Sequence, residues 1–258
     1  MFVVLLADSG QESFFKIFSS PAYLAINLGV GIVAFLGIVF LYRGYAEGVM
    51  SIVAPIGGAF PIVSVSLSIL LLGISLTPVR SLSIIAAIAG IVLAGVKLSS
   101  FKQILVGAKS DPSANRKMLI KGADYGVGAL LCAGFGLFGL GVAAPVIGSI
   151  LAVVVLKFSE TIIATGVLIF GKVRWVRPDL GTFAWLVFIG ACDAVGFATY
   201  NLAVQTGGGG LPIVVTLAGL TGVFTVILAR VFYKERLEKV QLAGIVIIFA
   251  AVAAILYF

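Results

Sequence analysis

Histidine is missing altogether from the 258 residues, and cysteine occurs twice, as Cys132 and Cys192. With no imidazole and both thiols inside apolar runs, the chain offers no plausible zinc or iron ligand set and no disulfide framework, and no cofactor is expected. Charge is scarce as well. Only 10% of the residues are Asp, Glu, Lys or Arg, against 61% hydrophobic residues and a mean hydropathy of +1.24, which excludes a soluble globular domain. The alternating pattern of a transmembrane barrel strand is also lacking, because the apolar runs are apolar all round. The opening "MFVVLLADSG" has no basic residue before its six apolar ones, too little for a signal peptide and too short to span.

What is there is long hydrophobic runs. A spanning helix needs roughly 20 mostly apolar residues, and eight such runs stand at about 21 to 41, 49 to 73, 79 to 96, 124 to 143, 149 to 171, 181 to 204, 211 to 232 and 240 to 258. Helices are the remaining way to satisfy the backbone in lipid. The expected fold is therefore all-α, a polytopic transmembrane helical bundle of about eight spans in the plasma or inner cell membrane. The net charge of +7 does not argue for nucleic acid, because the basic residues sit in the short connections between spans. If the spans alternate, one side collects Arg43, the cluster from Lys97 to Lys121, the group Lys172, Arg174 and Arg177, and the group Arg230, Lys234, Arg236 and Lys239. The other side holds only Lys16 and Arg80. That bias places the long loop in the cytoplasm and both termini outside.

An internal repeat organises the chain. The stretch from Leu41 and the stretch from Thr199 share one plan: the end of a span, a short turn, a span interrupted near its start, another turn, and a final span rich in small residues. Tyr42 matches Tyr200, and "GISLT" ending at Thr77 matches "KERLE" ending at Glu238. The expected division is a first repeat over 1–96, a basic connecting loop over 97–123, and a second repeat over 124–258. Three spans precede the loop and five follow it, so the copies are unequal, and the first is expected to lack about two helices at its N-terminus, with "FVVLLA" as the tail of one of them. An odd number of spans per copy inverts one copy relative to the other, as in many secondary transporters.

The residues "FATYNLAVQTGGGGLPIVVTLAGLTGVFTVILARVFYKERLEKVQLAGIVIIFAAVAAIL" resemble the EamA-type members of the drug/metabolite transporter superfamily, which end their penultimate helix in a Gly-Glu-Arg-Leu-like turn. Here the turn is "YKERLEKVQLAG". The resemblance covers residues 20 to 258 and implies ten helices in two inverted five-helix repeats that move small metabolites or drugs by alternating access. The family's first helix and most of its second have no counterpart here, Ile74 stands where the first repeat often carries a Glu, and family members commonly keep their termini in the cytoplasm.

Three ionisable residues fall inside spans. Glu160 lies near the middle of its run with Lys157 three residues earlier on the same face, and Asp193 occupies the corresponding depth of the next span. A charge at the bilayer centre costs at least about 2.5 to 3.5 kcal/mol, so each needs a partner or a wet cavity. Two readings are open: a midplane site in which Glu160 or Asp193 binds a proton, or a Lys157–Glu160 pair that neutralises itself while Asp193 bonds a neighbouring helix. The broken-helix elements Pro55, Gly57, Gly58 and Pro61, with Pro212 in the second copy, point to a binding region, since disrupted segments at matching positions mark transporter sites. Tyr42, Arg43, Tyr200 and Asn201 sit at matched span ends, where they close a pathway or anchor at the interface. Asn27 is the remaining candidate, as a substrate contact or a bond to another helix.

"GFGLFG" fits the G-x-G-x-x-G pattern, but it lies inside an apolar span and not between a strand and a helix, so it reads as helix packing. The small residues of "AIAGIVLAG" read the same way, within the chain or between copies in a homo-oligomer. The function expected is secondary-active transport of a small solute, with membrane lipid as surroundings and proton coupling as an option. The alternatives are a truncated membrane scaffold or fragment that no longer transports and, with only one Asp and one Glu in adjacent spans, an intramembrane enzyme.

Overall fold

The computed structural model describes residues 21–48, 50–95, 112–171, 177–206, 210–221, 224 and 238–257. The fragment at 2–7, most of the glycine run and the core of the "YKERLEKV" turn lie outside the described residues. Among those described, the secondary structure is helical: α1 Pro21–Glu47, α2 Met50–Gly58, α3 Pro61–Leu72, α4 Pro78–Gly95, α5 Pro112–Ile147, α6 Ser149–Phe170, α7 Leu180–Thr206, α8 Gly210–Ala218 and α9 Lys239–Tyr257. Four of them open on proline, whose missing amide costs nothing in a first turn. Helix α3 closes on Gly73 in the left-handed region, φ 63°, with the Ile74 N–H donating to the Ser68 carbonyl at 3.4 Å. Asp179 caps α7: its carboxylate accepts the Gly181 and Thr182 amides and the Thr182 hydroxyl. The hydroxyl and amide of Thr182 hold the Asp179 carboxyl below its ordinary value.

Among the described residues, six helical segments are long and apolar enough to cross a membrane: Pro21–Glu47, Val53–Leu72, Pro78–Gly95, Gly122–Ile147, Ser149–Phe170 and Leu180–Thr206. The chain is an integral, multi-pass membrane protein. The last run is a shorter apolar helix, Lys239–Ile255, and the run at 211–232 is described only at its beginning. One boundary differs clearly from the sequence expectation. Helix α5 starts at Pro112, inside the stretch expected as a connecting loop, and the part of it apolar enough to span begins at Gly122.

The chain forms two compact units, one within Met1–Phe35 and Gly139–Gly208, the other within Leu36–Phe138 and Gly209–Phe258. In the first, α6 packs on α7, and a Cβ on Gly31 of α1 would overlap the Ser159 hydroxyl of α6. In the second, α9 lies along α4. Gly90 and Gly244 meet backbone to backbone: a Cβ on Gly244 would stand 2.7 Å from the Gly90 carbonyl oxygen and 2.5 Å from the Ala94 nitrogen. Gln241 donates to the Ala94 carbonyl at 3.3 Å, whereas Ile84 clusters with Ile255. Contacts thus advance along α4 as they retreat along α9, so the two helices are antiparallel. Their starts, Pro78 and Lys239, are the positions that follow the matched turns of the repeat. The small residues Gly90 and Ala94 of "AIAGIVLAG" are therefore used inside the chain.

Candidate functional site

Lys157, Glu160 and Asp193 come together in the first unit. Glu160 is near the midpoint of α6 and Asp193 near the midpoint of α7. The Lys157 ammonium lies 2.8 Å from Glu160 Oε2 and 2.6 Å from Asp193 Oδ2, and 4.5 Å from the centre of the Phe197 ring, one turn beyond Asp193. One cation thus serves two carboxylates, Glu160 on its own helix and Asp193 on the neighbouring α7. The exposed fractions are 30% for Lys157, 14% for Glu160 and 49% for Asp193. Glu160 Oε1 is buried and accepts no hydrogen bond among the described residues. With all three groups ionised the cluster carries one excess negative charge, and Glu160 Oε1 is a buried acceptor left open among the described residues.

Asn27 and Asn201 are fully buried against the start of α6. Asn27 Nδ2 donates to the Ala152 carbonyl and Asn201 Nδ2 to the Ser149 carbonyl, each at 2.9 Å. Sequence reasoning missed their companions. Ser149 Oγ donates to Gln205 Oε1 at 2.6 Å, and Gln205 Nε2 donates to the Ala144 carbonyl at 3.1 Å. This network surrounds the point where Pro145 has no amide for the α5 ladder and Gly148 turns the chain with φ 95°. Gln205 closes a polar face of α7 with Asn201 one turn earlier, a helical spacing that the sequence does display. Tyr200 is buried beside Asn201, whereas Tyr42 and Arg43 on α1 are exposed. The matched span ends thus occupy unlike surroundings.

In the second unit the expected helix breaks are present but displaced. Pro55 sits inside α2, and the break falls at Ala59 and Phe60, immediately before Pro61. There the ladder tightens to three-residue bonds, Ala59 N–H to the Ile56 carbonyl at 3.1 Å and Phe60 N–H to the Gly57 carbonyl at 3.3 Å. Gly57 and Gly58 form the last turn of α2, and Gly58 faces Ile91. Pro212 lies in the first turn of α8, where proline is tolerated, so it breaks nothing. A second irregularity comes later, at Gly219 and Leu220, where the Gly219 amide is shared between the Val215 and Thr216 carbonyls at 3.1 and 3.2 Å and the Leu220 amide reaches the Leu217 carbonyl at 3.0 Å. These two breaks touch: a Cβ on Gly219 would stand 2.9 Å from the Pro61 ring and 2.8 Å from Ile91. Ser64, just past the first break, donates to the Gly134 carbonyl of α5, and Thr216, just before the second, donates to the Pro212 carbonyl at 2.7 Å. Gly134 of "GFGLFG" packs on Val63, and Gly139 packs on Val30, the close helix approach expected of that motif.

The EamA-like transporter family matches residues 120–257, more than half of the chain. The chain belongs to this family. No curated protein matches it in sequence. As an EamA-like protein it is a membrane protein of the drug/metabolite transporter type, and the matched region contains the ion cluster and the second helix break. The first break and α4 lie before that region, so their correspondence with the second copy rests on the internal repeat and on the contacts just described.

Proposed function

We propose that the chain is a secondary-active transporter of small polar or amphipathic solutes, working by alternating access between inverted copies of one repeat. The observation that carries this reading is the contact of two interrupted helices at Pro61 and Gly219, one from each copy. Broken helices at corresponding positions leave short half-helices that can tilt without dismantling the ladder, and such elements line transporter pathways. The antiparallel crossing of α4 and α9 supports inversion of the copies, since equivalent helices in parallel copies would run the same way.

The Lys157–Glu160–Asp193 cluster is assigned to coupling. Protonating one carboxylate makes it electrically neutral, and releasing that proton restores the excess negative charge, so the two forms differ in how much water they demand. A small-molecule solute is the partner, and the membrane is the cell membrane. Alternating access is tested with Ser64→Cys in a background where Cys132 and Cys192 are replaced by serine. An impermeant thiol reagent should reach the new cysteine from one side of the membrane at a time, with the side changing when a pH gradient is reversed. Equal reaction from both sides at once, or labelling that ignores the gradient, would count against the mechanism.

A further inference from the structure

A groove of about 680 Å³ runs between α3 and α4 in the second unit. Its walls are apolar, with Ile62, Val65 and Ile69 from α3 facing Ile85, Ile88 and Val92 from α4, and serines as its polar lining residues. Both helices belong to segments long and apolar enough to cross a membrane. Its lining on α4 extends from Ser81 to Leu93, which at ~1.5 Å per residue is about 18 Å. That length is close to half of the ~30 Å hydrocarbon layer, the depth of one leaflet. The Ser81 end adjoins Arg80 in the first turn of α4. The Arg80 backbone N–H donates to Thr77 Oγ1 at 3.3 Å, but its guanidinium Nε is buried without a hydrogen-bond partner, and Arg80 makes no ion pair among the described residues.

We propose that this groove binds one anionic phospholipid, with an acyl chain along α3 and α4 and the phosphate on Arg80. Beside the groove's Ser81 end stands Arg80, whose Nε has no partner and which makes no ion pair among the described residues, and an apolar channel of one-leaflet length leads away from it, the complement of a phosphate attached to a fatty chain. A zwitterionic headgroup fits less well, because its ammonium opposes Arg80. Since α3 begins at the break of Ala59 and Phe60, a lipid seated there bears on the half-helix next to that break.

The test is native mass spectrometry of the full chain in detergent, titrated with phosphatidylglycerol or with phosphatidylcholine of the same acyl chains. The expected result is one retained phosphatidylglycerol, held about tenfold more tightly than phosphatidylcholine, the scale of a charge-assisted hydrogen bond. Arg80→Gln should erase the difference between the two lipids. Ala89→Trp, which fills the groove from an exposed lining position, should abolish the single tight adduct, and Ser66→Phe does the same from α3 should the tryptophan disturb folding. Melting temperatures in lipid-free detergent establish that the variants are folded. Undiminished preference for phosphatidylglycerol in folded Arg80→Gln, a single bound lipid in a folded groove-filled variant, or graded uptake without saturation would each overturn the proposal. So would a dimer that dissociates on filling the groove while retaining no lipid, since the occupant would then be a second copy.

Discussion

Lys157 carries one positive charge between two carboxylates near the midpoints of their helices. Replacing it with methionine leaves Glu160 and Asp193 without their counter-charge. The expected loss of stability is about 2 kcal/mol, below the 3 to 5 kcal/mol of a fully buried pair because Lys157 and Asp193 are partly exposed. The triple variant Lys157→Met, Glu160→Gln, Asp193→Asn should recover to within about 1 kcal/mol of the wild type, since it removes the charges together. Melting temperatures by size-exclusion fluorescence measure both, and a triple variant as unstable as the single one would mean that Lys157 acts through packing on Phe197. The three charges were legible in the sequence because ionisable groups inside apolar runs stand out. Their pairing was not, because i,i+3 spacing shows Lys157 facing Glu160, while the reach to Asp193 depends on how α6 and α7 are rotated. Gln205 and Ser64 escaped for a related reason: each bonds a backbone carbonyl of another helix, and carbonyls carry no sequence signal.

Helix ends and helix crossings obey local rules that can be tested element by element. The Asp179 carboxyl is held below its ordinary value of 3.8 by the hydroxyl and amide of Thr182. The ionised form is therefore the one that supports the start of α7. Its contribution is complete above that ordinary value and is lost as pH falls through the lower, folded value. Hydrogen exchange at the Gly181 and Thr182 amides should accelerate across that acid window relative to Asp179→Asn, in which no charge titrates; identical pH profiles would remove the cap from the account. At the α4–α9 crossing, Gly244→Val meets backbone that cannot turn aside and should cost about 3 kcal/mol. Gly166→Ala on α6, with open space around it, should change stability by less than about 1 kcal/mol. Thermal unfolding of the two variants side by side decides this. The crossing was foreshadowed by small residues at helical spacing, but whether they would meet another copy or the same chain was settled only by the fold. Proline position misled at α8, since the same residue that interrupts a helix interior is harmless in a first turn.

For the whole molecule, hydropathy alone was enough to fix the class and most of the spans, because lipid leaves the backbone few alternatives. Pro78 and Lys239 begin helices directly after the two stretches "GISLT" and "KERLE" that the proposed repeat pairs. What the sequence could not supply was the meeting of the two helix breaks at Pro61 and Gly219, which joins residues far apart in the chain. That contact, the ion cluster and membership of the EamA-like family converge on transport. The most direct test is solute accumulation in proteoliposomes under an imposed pH gradient, with a panel of small amines, amino acids and carboxylates, comparing the wild type with folded Glu160→Gln. The account predicts gradient-driven accumulation of at least one solute by the wild type, reduced at least about tenfold in Glu160→Gln, in line with loss of a proton-binding group. No accumulation of any solute by the wild type would contradict transport, and equal accumulation by the two proteins would remove Glu160 from the coupling step.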